Sequence, residues 1–239
     1  MDGMVSIALI VAILLGGGLV FGLTDRRNFV PGWLLVALLL VVANDAMLTS
    51  LYGWLPQAFP ATEWNWQGKA LALALSLAIA ATPAFGWRRS GLTLKQARGS
   101  LAPAGTALAL YALFFVAIAV AFPADPATPE TLAFQLTMPG IEEETFYRGI
   151  LLLAFNEALR GRIRWLGLDW GWGALLSSAA FGLAHAFAWT AEGGVSFEPV
   201  YFTLTAVPSL LAVWMRERTG SLLIPILAHN LGNSLPHLL

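Results

Sequence analysis

The feature that most constrains this chain is a series of long apolar segments with few charges. Residues 3–24 contain no charged residue, and an α-helix of about 20 apolar residues is long enough to cross the hydrocarbon core of a bilayer. Similar segments follow at 30–55, 69–87, 100–122, 133–158, 171–189, 199–215 and 221–238. They are about twice as long as barrel strands and do not alternate polar with apolar residues. The pattern therefore predicts an all-α, polytopic transmembrane helical bundle with about eight spans.

The composition supports a membrane protein and excludes several other classes. Only 11% of the 239 residues are charged and 58% are hydrophobic, whereas soluble domains carry about 25% charged residues. We expect an integral protein of the cell (plasma) membrane, surrounded by lipid. The 13 basic and 14 acidic residues leave no positive excess for nucleic acid. The absence of cysteine excludes disulfides, thiolate metal ligands and a thiol nucleophile.

The distribution of basic residues predicts the topology. Eleven of them fall in connections on one side of the predicted spans, Lys69 falls on the other side, and Arg148 lies within a span. Because cytoplasmic connections are enriched in lysine and arginine, we expect both termini outside. No connection is long enough to separate domains, so 1–239 is predicted to be a single integral membrane domain.

The fifth span carries charges that a lipid-facing helix would not tolerate. Glu142, Glu143, Glu144 and Arg148 interrupt it, and each central charge costs about 2.5–3.5 kcal/mol on insertion scales. Glu144 and Arg148 are four residues apart, a spacing that allows an ion pair on one helical face. Glu143 points about 100° away from that pair and has no basic partner in its own helix. It is therefore a candidate general base.

Two later spans each carry a histidine that could face the same interior. In the sixth span His185 lies four residues after Phe181, so the two rings share a helical face. In the eighth span His229 and Asn233 have the same spacing. A buried carboxylate, two imidazoles and a side-chain amide can together perform acid–base chemistry on an amide bond.

These residues also form a recognisable set of motifs. The string EETFYRG at 143–149 resembles the E-E-x-x-x-R-G signature of the CPBP family (CAAX protease and bacteriocin-processing, or Abi), which includes the type 2 CAAX prenyl endopeptidases. FGLAH at 181–185 resembles the family's F-x-x-x-H, and HNLGN at 229–233 its H-x-x-x-N. Three motifs in this order on separate spans are specific. The resemblance covers 131–239 as the catalytic core and leaves 1–130 as accessory N-terminal spans.

The resemblance implies an intramembrane endopeptidase and gives each residue a role. Glu143 would activate the attacking water with help from His185, while His229 and Asn233 would stabilise the oxyanion. Arg148 would hold Glu144 and orient the helix. The substrate would be a peptide or protein, either membrane-embedded or prenylated.

The resemblance leaves the cofactor open. Glu143, His185 and His229 could supply three ligands to Zn²⁺, with water as the fourth. The same residues serve a metal-free glutamate mechanism, which we prefer as the working hypothesis.

Two other interpretations of the buried charges remain open. A polytopic transporter or proton-coupled carrier would also bury glutamate, arginine and histidine, although no repeat symmetry is visible in this sequence. The charged residues could instead form a structural ion-pair cluster between helices. A protease requires a cavity open to water on one side, and the predicted topology places that opening in the outer half of the bilayer.

Overall fold

A computed structural model describes residues 2–123 and 127–239. The fold is predominantly helical, which confirms the predicted all-α class. The helices are α1 (Asp2–Thr24), α2 (Pro31–Leu48), α3 (Ser50–Gly53), α4 (Trp66–Ala80), α5 (Leu101–Ala121), α6 (Pro129–Gln135), α7 (Met138–Glu143), α8 (Leu152–Ala158), α9 (Trp172–Ala186), α10 (Pro199–Thr219) and α11 (Leu223–Leu238). A 3₁₀-helix covers Arg26–Asn28, and a π-helix, Glu144–Leu151, joins α7 to α8.

Three helices among the described residues are long and apolar enough to cross a membrane: α1, α2 and α5. Most residues in their apolar windows are not buried inside the protein. Apolar side chains that remain exposed on such helices require lipid as their environment. The chain is therefore an integral membrane protein. The other predicted spans coincide with α4, the α6–α8 series, α9, α10 and α11, which are shorter or contain polar residues.

The second and third predicted spans end earlier than expected. The α2 helix stops at Leu48 instead of residue 55, and the next turn, α3, contains consecutive residues with positive φ from Ser50 to Gly53. The α4 helix ends at Ala80 instead of residue 87. Pro83 explains this second end because proline lacks an N–H and disfavours helical geometry at the residue before it.

The fifth predicted span, 133–158, is broken into α6, α7, the π-helix and α8. Thr128 caps α6 by accepting a hydrogen bond from the Thr131 N–H, with Pro129 in the first turn. Pro139 lies in the first turn of α7, where its missing N–H costs no helical hydrogen bond. A π-helix, with its i→i+5 bonds, is rare and is often found at functional sites. The acidic cluster lies where α7 becomes the π-helix.

Two β-hairpins lie on either side of α9, and the second begins within the last three residues of the predicted sixth span, 171–189. Strand β1 (Ile163–Trp165) pairs with β2 (Leu168–Trp170), and β3 (Phe187–Trp189) pairs with β4 (Val195–Phe197). The first hairpin turns through Leu166 and Gly167, both with positive φ, as a two-residue type I′ turn requires. These short hairpins do not alter the all-α class, since strands were excluded only for the long apolar segments.

The chain divides into two compact units, and the first contains residues up to Asp45 and Leu151–Val213. In this unit α1 packs against α9 and β3, and α9 packs against α8. Leu152, Ala174 and Val213 form a buried apolar cluster. His185, in the last turn of α9, belongs to this unit.

The second unit contains Ala46–Ile150 and Trp214–Leu239. Its α11 helix packs against α5, α6 and α7, and α4 packs against α7. Gly232 allows the close contact with α5, because a Cβ there would lie 3.1 Å from Tyr111 and 3.2 Å from Phe115. This unit contains the acidic cluster and the third motif.

Candidate active site

Three consecutive carboxylates, Glu142, Glu143 and Glu144, lie where α7 passes into the π-helix, and all three are buried. A charged group that is removed from water needs a partner of opposite charge or several hydrogen bonds. The surrounding helices supply these partners to each carboxylate in a different way.

Glu144 and Arg148 form the ion pair that their spacing predicts. Arg148 Nη1 lies 3.1 Å from Glu144 Oε1, and the side chains are only 2% and 1% exposed. The same Oε1 also lies 2.7 Å from His229 Nδ1. A buried ion pair is stable only when further hydrogen bonds satisfy its atoms, and His229 provides one.

His229 lies between two of the carboxylates. Because an ionised carboxylate only accepts hydrogen bonds, Nδ1 donates to Glu144. The opposite nitrogen, Nε2, lies 3.6 Å from Glu143 Oε2, which is beyond hydrogen-bond length. The ring orientation is thus fixed by Glu144, and Nε2 points towards Glu143.

A second contact fixes α11 against α7 next to this histidine. The Gly140 N–H donates to Asn230 Oδ1 at 2.8 Å in a buried position. A Cβ at Gly140 would lie 2.3 Å from that oxygen, so only glycine allows this approach. Neither residue was predicted, because Gly140 lies outside the motifs and Asn230 occupies an unspecified position of H-x-x-x-N.

Asn233 lies one turn after His229 on α11, as its spacing predicts. Its Nδ2 donates to Gln135 Oε1 of α6 at 3.1 Å. A side-chain amide carries two N–H groups, so the contact with Gln135 uses one of them. Gln135, at the end of α6, is a further residue that sequence analysis missed.

Lys69, on α4, is the main polar partner that sequence analysis did not identify. Its Nζ donates to Glu142 Oε2 at 2.7 Å and to Glu143 Oε1 at 2.5 Å. The charge balance of the sequence offered one signal, since three acids and one arginine in a span leave two negative charges without a basic residue in that span. Sequence alone could not indicate which distant cation compensates for it.

His185 lies in the first unit, and its surroundings differ from those of His229. Its Nδ1 lies 2.8 Å from the Phe181 carbonyl oxygen, and the two rings are 4.5 Å apart between centroids, as the four-residue spacing predicts. Because a carbonyl only accepts, Nδ1 donates, and Nε2 of the neutral ring is then an acceptor. Its action on the same water as Glu143 stays a prediction.

The predicted zinc ligands are Glu143, His185 and His229. Within the described residues, no group of three or more histidine or acidic side chains is arranged to hold a metal ion. In addition, Glu143 Oε1 already accepts a hydrogen bond from the Lys69 ammonium, and a metal cation beside it would be repelled. The Lys69 contact therefore does not fit a metal ion at Glu143 Oε1.

The carboxyl-terminal part of the chain is similar to a known protein family. A family model described as Type II CAAX prenyl endopeptidase Rce1-like matches residues 125–235. This range contains all three motifs, at 143–149, 181–185 and 229–233. No curated protein and no solved structure gives a significant match to the chain. The family match confirms the resemblance to the CAAX proteases over these residues.

Proposed function

We propose that this chain, whose residues 125–235 match the type II CAAX prenyl endopeptidase model, is an intramembrane endopeptidase with Glu143 as general base. The observation that carries the proposal is the buried arrangement of Glu143, Glu144 and His229. One carboxylate fixes the imidazole through Nδ1, and the other faces Nε2 at 3.6 Å. A structural ion-pair cluster would not need a histidine nitrogen directed at a second carboxylate.

The proposed first step is attack of water on the scissile carbonyl. Glu143 takes a proton from the water as the water oxygen forms a bond to the carbonyl carbon. The family resemblance gives His185 the role of assisting this proton transfer. Because Nδ1 of His185 donates to Phe181, Nε2 is an acceptor. This supports that role.

The carbonyl oxygen becomes an alkoxide, which requires hydrogen-bond donors. We assign this function to His229 and Asn233, which lie one turn apart on α11. Because Nδ1 of His229 donates to Glu144, Nε2 donates to the alkoxide when both ring nitrogens carry a proton. Each such donor contributes roughly 2.7–4 kcal/mol in other hydrolases. The intermediate then collapses by breaking the C–N bond, and the proton held by Glu143 passes to the leaving amine.

The proposed substrate is a peptide or protein that reaches the site from the membrane, either embedded in it or anchored by a prenyl group. The predicted topology places the site in the outer half of the plasma membrane, which favours an exported or embedded peptide. Protease accessibility of the 160–164 connection tests this placement. Cleavage from the outside would contradict it, because the topology puts this connection in the cytoplasm.

The direct test of the catalytic assignment is Glu143→Gln in the full-length, detergent-purified protein. We expect peptide cleavage to be abolished while the protein remains folded, because glutamine keeps the shape but cannot accept the proton. Glu192→Gln, at an exposed position, is the matched control and should cleave normally. If Glu143→Gln cleaved as fast as the parent, the general-base assignment would be wrong.

A further inference from the structure

Lys69 contacts the candidate catalytic carboxylate from outside the part of the chain that matches the family. It lies on α4, and the match begins at residue 125. Its side chain is 13% exposed, and the ammonium bridges Glu142 Oε2 and Glu143 Oε1. An accessory helix thus supplies a cation to the centre of the site.

The first consequence of this bridge is electrostatic. Glu142 is completely buried, and an unpaired buried charge costs several kcal/mol. Arg148 is already paired with Glu144. Lys69 therefore compensates for Glu142, whose negative charge would otherwise lie directly beside Glu143.

The second consequence concerns the orientation of Glu143. Its two oxygens have different neighbours: Oε1 accepts from Lys69, while Oε2 lies on the side of His229 Nε2. Because Lys69 holds Oε1, the other oxygen, Oε2, stays directed at the water that Glu143 is proposed to deprotonate. This is the kind of preorganisation that lowers the entropic cost of a proton transfer.

The position of Lys69 is itself fixed by the start of α4. Asn65 caps the helix by accepting from the Gly68 N–H, and it donates to the Leu48 carbonyl. A Cβ at Gly68 would lie 2.1 Å from that carbonyl oxygen, so the close approach requires glycine.

A side-chain contact with α6 also anchors this region. Trp66 Nε1 donates to Glu130 Oε1 at 3.1 Å, and the same oxygen accepts from the Glu63 backbone N–H at 3.0 Å. The segment before Lys69 is therefore attached to the helix that precedes the acidic cluster.

We propose that Lys69 is a positioning residue that holds Glu143 in its reactive orientation through Oε1 while neutralising Glu142. In this view, α4 is a functional part of the enzyme and not only a membrane anchor. The proposal rests on the proposed function of Glu143, and its test separates the two.

The test compares Lys69→Met with Lys69→Arg in the purified full-length protein, using a farnesylated, fluorescence-quenched peptide with a CAAX terminus. We expect Lys69→Met to lower kcat by about 10- to 100-fold, as expected for a misplaced reactive group, with KM changed less than about twofold. Lys69→Arg should recover most of the loss. Lys95→Met removes the other lysine, which is exposed, and should leave both constants unchanged.

Two results would overturn the proposal: a parental kcat for Lys69→Met, or a folded Lys69→Arg as slow as Lys69→Met. If Lys69→Met does not fold, the double variant Lys69→Met/Glu142→Gln removes the buried charge as well and should restore folding. The kcat of the double variant should stay low, because Glu143 still lacks the contact with Lys69. A parental kcat in the double variant would show that Lys69 only neutralises Glu142.

A stability measurement separates this proposal from the proposed function. Thermal unfolding of Lys69→Met, Glu143→Gln and their combination should be non-additive, because the two side chains are in contact. Failure of the proposed function would be visible instead as equal activity of the parent and Glu143→Gln. Additive stability effects would contradict the Lys69–Glu143 pairing whether or not the peptide is cleaved.

Discussion

The two motif histidines lie in contrasting surroundings. His229 is buried, and its ring lies between the carboxylates of Glu144 and Glu143. His185 is exposed at the end of its helix and donates to the Phe181 carbonyl one turn earlier. One ring is thus oriented by tertiary contacts and the other by its own helix. Substitutions at the two should affect catalysis alike but stability differently.

The largest effect on folding is expected from Arg148→Ala. It removes the positive charge beside Glu144, which stays buried with its hydrogen bond from His229. Breaking a buried ion pair typically costs about 3–5 kcal/mol. We expect little folded protein after detergent extraction, measured by size-exclusion chromatography. Arg148→Lys keeps the charge and should recover part of the yield. Normal yield and thermal stability of Arg148→Ala would contradict the structural importance of this pair.

His229→Ala should abolish cleavage and also lower stability. Removing the imidazole takes away the donor at 2.7 Å while the Arg148 contact remains, and a hydrogen bond to a charged group contributes about 1.5–3 kcal/mol. Thermal unfolding in detergent measures this loss, and peptide cleavage is measured on the same sample. An unchanged melting temperature would mean that the Glu144–His229 hydrogen bond contributes little.

Asn233→Ala should have a smaller effect on stability and a large effect on rate. Its hydrogen bond to Gln135 is half-buried, and such a bond contributes about 0.5–1.5 kcal/mol. Loss of one oxyanion donor lowers kcat by about 10²–10³-fold in other hydrolases. Gln135→Ala is the control, because it breaks the same bond but keeps the donor. If both variants lost equal activity, Asn233 would act by fixing α6.

The smallest effect on stability is expected from His185→Ala, and this variant tests the contrast most directly. Because His185 is exposed, its loss should change the free energy of unfolding by no more than about 0.5 kcal/mol. Cleavage should nevertheless be abolished, since the proposed mechanism uses this ring in proton transfer. A folded His185→Ala that retains parental activity would remove His185 from the mechanism.

Much of the helical fold was predictable from local sequence, and the errors have identifiable causes. The α1 and α5 helices match the predicted spans closely because their apolar segments are uninterrupted. The segment at 133–158 did not form one helix, since Pro139 and the polar residues after it allow a break and a π-helix. The first hairpin was missed because Leu166 and Gly167 carry the turn in a short connection that has no alternating pattern.

Contacts within one helix were predictable from spacing, because 3.6 residues per turn place positions i and i+4 side by side. The Glu144–Arg148 ion pair and the Phe181–His185 contact were predicted in this way.

The sequence by itself thus determined a membrane-spanning helical protein, the order of its three motifs and the local pairs within them. Only the tertiary structure decided that Lys69 bridges Glu142 and Glu143, that His229 contacts Glu144, and that Gln135 receives the Asn233 amide. The physical reason is that these partners lie on different helices. Their contacts depend on how the helices pack, and a periodicity that repeats along one helix contains no information about its neighbour.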